Sequence, residues 1–173
     1  MRVVAGRFKG RTLHAPKGRA TRPTSDKVRE ALFSVLGDVE GAQVLDLFAG
    51  SGALGIEALS RGAREATFVD DDPNAIAAIR RNLDAMGVDG EVHLRDALQF
   101  LKPGGPSFGL VFIDPPYSSA PGLGERLSQL VPAILSGDAR IVTESDKRTP
   151  LALDLPLDFE RDYGDTRIRI HRG

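Results

Sequence analysis

Apolar runs alternate with segments of helical spacing along most of the chain. Helical patterns separate five runs that are typical of buried strands: 42–48, 65–70, 91–95, 108–114 and 139–144. This alternation predicts an α/β fold with a mostly parallel sheet and helices on both faces. Near the end of the chain, FERDYG and TRIRIH predict a closing antiparallel pair. We expect one domain over residues 1–173, with its ligand site beyond the carboxyl ends of the parallel strands.

The first part of the chain follows a different pattern. RVVA (2–5) and TLHA (12–15) predict a short hairpin, so we expect a hairpin extension over residues 1–22. A helix is expected to begin near Thr24–Asp26, where short polar side chains can cap it, and to end at Gly37. The predicted core face of this helix consists of Val28, Leu32, Phe33, Val35 and Leu36.

Formal charge is unevenly distributed, although the whole chain carries only −1. Residues 1–29 contain nine lysines and arginines and one acidic residue, a net charge of +8, whereas the rest of the chain carries −9. A basic segment on an acidic body favours contact with a polyanion such as RNA, and the alternative is a solvated tail. The apolar residues and turn glycines of the segment favour an ordered structure. Phe8 lies among these cations and could stack on a base or pack beneath the hairpin.

The sequence does not indicate a disulfide-rich, membrane-spanning, secreted or metal-binding protein. The chain has no cysteine, no apolar run of bilayer length and no signal-like apolar stretch at its start. Its three histidines, His14, His93 and His171, have no metal-ligand spacing. We therefore expect a cytoplasmic protein with no metal and no membrane partner.

The stretch DLFAGSGALG (46–55) forms a glycine-rich turn between the first strand and a helix. Gly50, Ser51 and Gly52 let the backbone approach a ligand, and the N–H groups of the following helix suit a pyrophosphate. That interpretation corresponds to an NAD-dependent oxidoreductase. Asp46 favours S-adenosylmethionine (SAM) instead, because a carboxylate repels pyrophosphate but attracts the sulfonium and ammonium groups of SAM.

Two acidic residues follow the next two strands. Asp70 ends the second strand and can accept hydrogen bonds from both ribose hydroxyls of either cofactor. Asp96 follows the third strand and can accept a hydrogen bond from the adenine amino group, with the Ala97 N–H facing the ring. Asp96 can also cap a helix, and both roles are compatible.

The fourth strand ends in Asp114-Pro115-Pro116-Tyr117. Prolines also end strands in ordinary turns, but in a SAM-type sheet this motif is typical of methyltransferases that act on planar exocyclic amines. The Asp114 carboxylate and the Pro115 carbonyl can accept the N–H groups of the amine, which frees its lone pair to attack a methyl group. Proline fixes φ and adds no competing N–H, and Tyr117 can stack on an extruded base. We predict that these four residues are catalytic.

Together with these motifs, the segments AGRFKGRTL (5–13) and RPTSDKVREALFSVL (22–36) resemble the RsmD family of bacterial 16S ribosomal RNA guanine-N2 methyltransferases. The resemblance covers essentially the whole chain, and its most specific part is the RPT-x-D-x-VRE block. It implies a Rossmann-like SAM-dependent methyltransferase fold, with a seven-stranded sheet and an N-terminal β-hairpin. It also implies methylation of guanine 966 (RNA numbering) in a 30S particle or assembly intermediate, with S-adenosylhomocysteine as the other product.

By position, the resemblance places three residues of the RPT-x-D-x-VRE block near the cofactor and the base: Thr24, Asp26 and Arg29. The alternatives are helix capping for Thr24 and Asp26, and a phosphate or surface role for Arg29. It assigns phosphate contacts with the rRNA to Arg7, Lys9, Arg11 and Arg22. We expect a monomer. Two other functions remain open, adenine-N6 methylation of DNA or RNA and RNA binding without catalysis.

Overall fold

A computed structural model describes residues 1–17, 24–116 and 122–173 of the chain. Its strands are β1 (Gln43–Leu47), β2 (Glu65–Asp70), β3 (Glu91–Leu94), β4 (Phe108–Ile113), β5 (Leu135–Asp146), β6 (Leu157–Tyr163) and β7 (Thr166–Arg172). They form one seven-stranded sheet in the order β3-β2-β1-β4-β5-β7-β6. β7 runs antiparallel to both of its neighbours, and β1 to β5 are parallel. The strand order reverses between β1 and β4, which is where an open α/β sheet binds its ligand.

Five helices connect the strands or precede them in the described residues. They are α1 (Asp26–Leu36), α2 (Ala53–Ser60), α3 (Pro73–Met86), α4 (Ala97–Phe100) and α5 (Leu123–Leu130), and a 3-10 turn covers Val131–Ile134. The side chains of Ser25, Asp72 and Asp96 cap α1, α3 and α4 by accepting backbone N–H groups. None of the helices in the described ranges combines the length and the hydrophobicity that a bilayer-spanning segment needs.

Side chains of the central strands alternate between two apolar layers. Val44, Phe112 and Val142 face a core that they share with α1, α2, α3 and the N-terminal segment. Leu45 and Val111 face a second core, which contains residues of α4 and α5. Helices therefore cover both faces of the sheet, and the predicted α/β fold class is confirmed.

The N-terminal segment, residues 1–17, packs on the first core. An antiparallel bridge joins Arg2 and Thr12, and the Val3 N–H donates to the Arg11 carbonyl at 2.9 Å. The predicted hairpin is thus a short bridged turn without two regular strands. Phe8 is 8% exposed and belongs to the first core, which supports the packing role over base stacking.

The observed α1 begins at Asp26, and Ser25 caps it, both within the predicted range, while the Thr24 hydroxyl donates to Glu144. One detail of the predicted core face is wrong. Val35 was predicted on the core face but is 40% exposed. The buried face of α1 includes Arg29 and Phe33. Val35 therefore lies at the edge of the buried face.

Candidate active site

The turn after β1 has a backbone conformation that few residue types adopt. Gly50 and Gly52 have φ values of 56° and 74°, which favour glycine, and Phe48 before them has a φ of 58°. A non-glycine residue with positive φ is strained, and such strain concentrates at functional sites. Gly52 precedes α2 without a side-chain cap, so the first N–H groups of α2 are directed toward the turn. The glycine turn therefore lies at the carboxyl end of β1, as predicted.

Four acidic side chains form a row across four adjacent strands: Asp70, Asp46, Asp114 and Glu144. Phe112 pairs with Asp46 on one side and with Val142 on the other. Because side chains alternate with period 2, Asp114 and Glu144, two positions further on, share the face of Asp46. We call these four side chains the carboxylate row. Glu144 was not predicted as a site residue, although its parity with Val142 places it on this face.

Burial raises the pKa values of three members of the carboxylate row, and neighbouring carboxylates add to the shift for two of them. Burial raises the pKa of Asp46 to about 8, although its Oδ2 accepts the Gly55 N–H at 2.9 Å, and the nearby Asp70 adds to the shift. Burial, followed by the charges of Glu144 and Asp46, raises the pKa of Asp114 well above its usual range. Burial also raises the pKa of Glu144, although the hydrogen bond from the Thr24 hydroxyl and the positive charge of Arg29 both lower it. A row of this kind fits a cationic ligand, because a cation relieves the repulsion.

Helix α2 approaches the sheet closely at Asp46 of the carboxylate row. A Cβ added to Gly55 would lie 2.4 Å from Phe68 Cε1 and 3.2 Å from Asp46 Oδ2. Only glycine therefore lets the helix backbone donate to the Asp46 carboxyl. Within the described ranges, no group of three or more acidic or histidine side chains is arranged to hold a metal ion.

Asp70 anchors the glycine turn. Its Oδ2 accepts the Gly50 N–H and its Oδ1 accepts the Asp72 N–H, both at 2.9 Å. Each carboxylate oxygen can accept two hydrogen bonds, so this anchoring is compatible with a contact to ribose. Asp96 is exposed and caps α4 by accepting the Gln99 N–H at 3.0 Å, and Ala97 beside it is buried. Contacts of Asp70, Asp96 and Ala97 with a cofactor stay predictions.

The three residues of the RPT-x-D-x-VRE block have different surroundings. Thr24 is buried, and its Oγ1 donates to Glu144 Oε2 at 2.6 Å, beside the carboxylate row. Arg29 is fully buried, and its Nη2 donates to Asp26 Oδ1 at 2.9 Å and to a backbone carbonyl of the N-terminal segment. Its Nε lies 3.5 Å from Glu57 Oε2 on α2. Thr24 thus lies beside the carboxylate row, whereas Arg29 and Asp26 join α1 to its neighbours. Contacts of these three residues with a cofactor or a base stay predictions.

Three buried polar residues that the sequence analysis missed hold the N-terminal segment in place: Glu57, Ser60 and Asn82. Glu57 accepts the N–H groups of Val4 and Ala5 at 2.8 and 3.0 Å. Ser60 Oγ accepts the Phe8 N–H at 3.0 Å. A lone glutamate in the apolar sequence ALGIEALS is the signal that could have identified this anchor.

Asn82 connects the N-terminal segment to the glycine turn. Its Oδ1 accepts the His14 N–H at 2.8 Å, and its Nδ2 donates to the His14 carbonyl at 3.0 Å and to the Ser51 carbonyl at 2.9 Å. The side chain is fully buried on α3. The buried Asn82 side chain therefore joins the N-terminal segment to the loop that we predict to bind the cofactor.

Asp114, Pro115 and Pro116 follow β4 directly, beside the glycine turn on the neighbouring strand. A cleft of about 330 Å³ lies next to the two prolines, and the start of α5 and the segment after β5 border it. Tyr117 and Arg22 lie outside the described residues.

The basic side chains of the N-terminal segment point outward. Arg7, Lys9 and Arg11 are exposed. The Arg7 guanidinium lies 4.5 Å from the centre of the Phe8 ring, and Arg11 Nη1 donates to the Ala85 carbonyl at 2.9 Å. These residues are accessible to a polyanion, and their contact with RNA stays a prediction.

Comparisons with known proteins agree with this architecture. A family model described as conserved hypothetical protein 95 matches residues 1–172. Ribosomal RNA small subunit methyltransferase D of Escherichia coli (strain K12) is 39% identical over 179 residues, which cover 99% of this chain and 89% of that protein. A candidate rRNA methyltransferase of Bacillus subtilis is 39% identical over 186 residues, which cover 99% and 98%.

A solved structure shows the same fold. A candidate methyltransferase from Escherichia coli matches with a TM-score of 0.86 at 35% identity, and the match covers 99% of this chain and 97% of that one. Because the family match and these identities extend over nearly the whole length, the chain belongs to the conserved hypothetical protein 95 family, which is the RsmD family.

Proposed function

We propose that this chain is a SAM-dependent methyltransferase of small-subunit ribosomal RNA, and that it methylates the exocyclic N2 of guanine 966. The names of its relatives support ribosomal RNA as the substrate. The observation that carries the proposal is the position of Asp114-Pro115-Pro116 in the middle of the carboxylate row, beside the glycine turn. A cationic methyl donor and an amine acceptor can meet at that position.

The carboxylate row is the reason to prefer SAM over NAD. When bound, SAM supplies an electrophilic methyl group on a positively charged sulfur. The backbone of Gly50, Ser51 and Gly52 would hold it, with Asp70 at the ribose and Asp46 near its cationic end. The pyrophosphate of NAD would instead meet a row of buried carboxyl groups and would make their ionisation still less favourable, whereas a cation favours it. The predicted contacts of the adenine are Asp96 and Ala97.

The motif after β4 then acts on the amine. The Asp114 carboxylate and the Pro115 carbonyl accept the two N–H groups of the guanine amine, so that its lone pair can attack. Pro116 keeps the backbone rigid without a competing N–H, and Tyr117 stacks on the base. Holding the amine and the methyl group together supplies much of the acceleration.

The N-terminal segment would contact the rRNA. Arg7, Lys9, Arg11 and Arg22 carry the positive charge for phosphate contacts, which give affinity without sequence information. We propose a 30S particle or an assembly intermediate as the substrate, a monomeric enzyme and a cytoplasmic location.

The test uses SAM with a labelled methyl group on 30S particles, protein-free 16S rRNA and DNA. We expect incorporation into 30S particles, and nucleoside analysis should identify N2-methylguanosine. N6-methyladenosine as the product would support the alternative chemistry. No incorporation into any RNA, together with thermal stabilisation by NAD and none by S-adenosylhomocysteine, would overturn the proposal, because a ligand stabilises only the protein that binds it.

A further inference from the structure

The cleft beside Pro115 and Pro116 lies next to the second core, whereas the carboxylate row shares the face of the first core. Leu123 and Leu151, which border the cleft, pack with the second core. Ser145 of β5 also borders the cleft, and because it alternates with Glu144, its side chain is directed away from the row. A methyl donor on the row and an acceptor in the cleft can therefore meet at the end of β4.

The lining of the cleft suits a nucleobase better than a phosphate. Its polar residues are Ser145, Asp146, Thr149 and Glu125, and its other described residues are apolar or glycine. No lysine or arginine is among the described lining residues, so a phosphate would meet carboxylates without a compensating cation. The volume of about 330 Å³ lies within the range of ligand pockets, and enzymes commonly read an extruded base through hydrogen bonds to its Watson–Crick edge.

Ser145 provides a buried hydroxyl at this cleft. The residue is 5% exposed, and its hydroxyl makes no hydrogen bond with any other residue that the structure describes. A buried polar group without a partner is costly, and a ligand can supply the partner. The end of β5 is held in place, because Arg148 donates its backbone N–H to Asp146 Oδ1 at 2.8 Å and its Nη2 to Oδ2 at 2.6 Å. The serine proton is therefore available at a fixed position.

The register of β4 and β5 relates this hydroxyl to the catalytic motif. Ile113 pairs with Thr143, so two residues further along each strand Pro115 lies opposite Ser145. Adjacent strands are about 4.8 Å apart, and N2 and O6 at the two ends of the guanine Watson–Crick edge have a similar separation. A guanine whose N2 lies at the Pro115 carbonyl can thus direct O6 to Ser145. An adenine with N6 at that carbonyl would direct its C2–H there, which accepts no hydrogen bond.

We propose that the cleft binds the target guanine, and that Ser145 is a specificity-determining residue whose hydroxyl donates a hydrogen bond to guanine O6. This inference rests on the proposed function, because it takes the guanine amine as the group held at Pro115. A site with a buried donor discriminates against a base that has no acceptor at that position. Ser145 thereby favours guanine over adenine.

The test compares two bases in single-turnover methylation of 30S particles, whose 16S rRNA carries either guanine or 2-aminopurine at the target position. 2-Aminopurine keeps the reacting amine but has hydrogen in place of O6. Ser145→Ala should lower the rate constant for guanine about 10-fold and leave that for 2-aminopurine within about 2-fold, since only guanine loses a hydrogen bond. Equal losses on both bases, or no loss on guanine, would overturn the inference.

Ser136→Ala is the matched control. Ser136 is half-buried at the amino end of the same strand and is not among the described residues that border the cleft, so this variant should keep the wild-type rates on both bases. Both variants should keep the thermal shift with S-adenosylhomocysteine, and its loss in Ser145→Ala would contradict a role confined to the base.

The wild-type protein separates this inference from the proposed function. If wild type methylates guanine N2 in 30S particles and Ser145→Ala keeps the wild-type preference for guanine over 2-aminopurine, this inference fails and the proposed function stands. If wild type methylates no guanine, the proposed function fails, and this inference fails with it.

Discussion

Asp46 illustrates at the level of one residue how burial changes the behaviour of a carboxyl group. From its position in DLFAGSGALG it is an acidic residue entering a glycine turn. In the structure it is 2% exposed, accepts a hydrogen bond from Gly55 and lies near the charge of Asp70. Burial, together with the nearby charge of Asp70, therefore raises the pKa of this carboxyl group to about 8, and burial also raises the pKa of Asp114 well above its usual range.

Asp46→Asn should change how stability depends on pH. A pKa raised to about 8 means that the folded protein holds a proton that the unfolded chain releases above about pH 4. This carboxyl favours folding fully below the unfolded pKa and loses that contribution as the pH rises toward 8. Between pH 5 and 8, wild type should lose about 1–3 kcal/mol relative to the variant. Urea unfolding without cofactor measures this, and parallel pH curves would contradict it.

Asp114→Ala should lower kcat by at least about 100-fold while the protein still binds S-adenosylhomocysteine. The reason is loss of the acceptor that orients the substrate amine. Single-turnover methylation of 30S particles and thermal shift with S-adenosylhomocysteine measure the two quantities. Asp89→Ala, an exposed residue before β3, is the control and should retain activity. Unchanged activity of the Asp114 variant would disprove its catalytic role.

At the level of elements, local pattern predicts the central strands and the way in which helices begin and end. β2 spans Glu65–Asp70, as predicted, whereas β1 is shorter than predicted by one residue at each end and β4 by one residue at its carboxyl end. The docking of the N-terminal segment did not follow from local pattern. It depends on backbone N–H groups of the segment that donate to the side chains of Glu57, Ser60 and Asn82. Donor and acceptor are at least 52 residues apart for Glu57 and Ser60 and 68 residues apart for Asn82.

Gly6→Ala should undock this segment. A Cβ at this position would lie 1.8 Å from the Ser60 carbonyl oxygen, and φ is +79°. We expect a loss of about 2–4 kcal/mol in the free energy of unfolding. Gly10→Ala is a matched control, because φ is +83° but no atom lies within 4 Å of the added Cβ, so only the backbone cost of about 1 kcal/mol applies. Equal losses for the two variants in urea unfolding would contradict the docking role of Gly6.

At the scale of the whole molecule, the exposed positive charges of the N-terminal segment lie on a part of the chain that hydrogen bonds attach to the rest of the fold. The N-terminal segment, residues 1–17, is bound through Asn82 to the glycine turn and through Glu57 to α2, and its Arg2 carbonyl accepts a hydrogen bond from Arg29 of α1. Arg29 contributes to the formal charge count, but it is fully buried and does not face a polyanion. The exposed cations of the segment are therefore held at a fixed position relative to the carboxylate row.

Combined replacement of Arg7, Lys9 and Arg11 by alanine should weaken rRNA binding. The dependence of log K on log salt should become shallower by about 2–3, since each phosphate contact contributes about 0.7–0.9. Filter binding between low and moderate salt measures the slope. Replacement of Arg64, Lys102 and Arg161, which are exposed elsewhere, removes the same charge and should change the slope less. Equal slopes for the two triple variants would argue against a dedicated RNA surface.

The sequence by itself determined the alternation of strands and helices, the glycine turn and the place of Asp114-Pro115-Pro116 at a strand end. These features depend on residues within one or two turns of each other, so periodicity and backbone preferences suffice. Only the tertiary structure decided that the Thr24 hydroxyl donates to Glu144, and that Arg29 lies buried beside Glu57. Such contacts depend on which strands become neighbours and in which register, and on burial, which sets whether a carboxyl group keeps its proton.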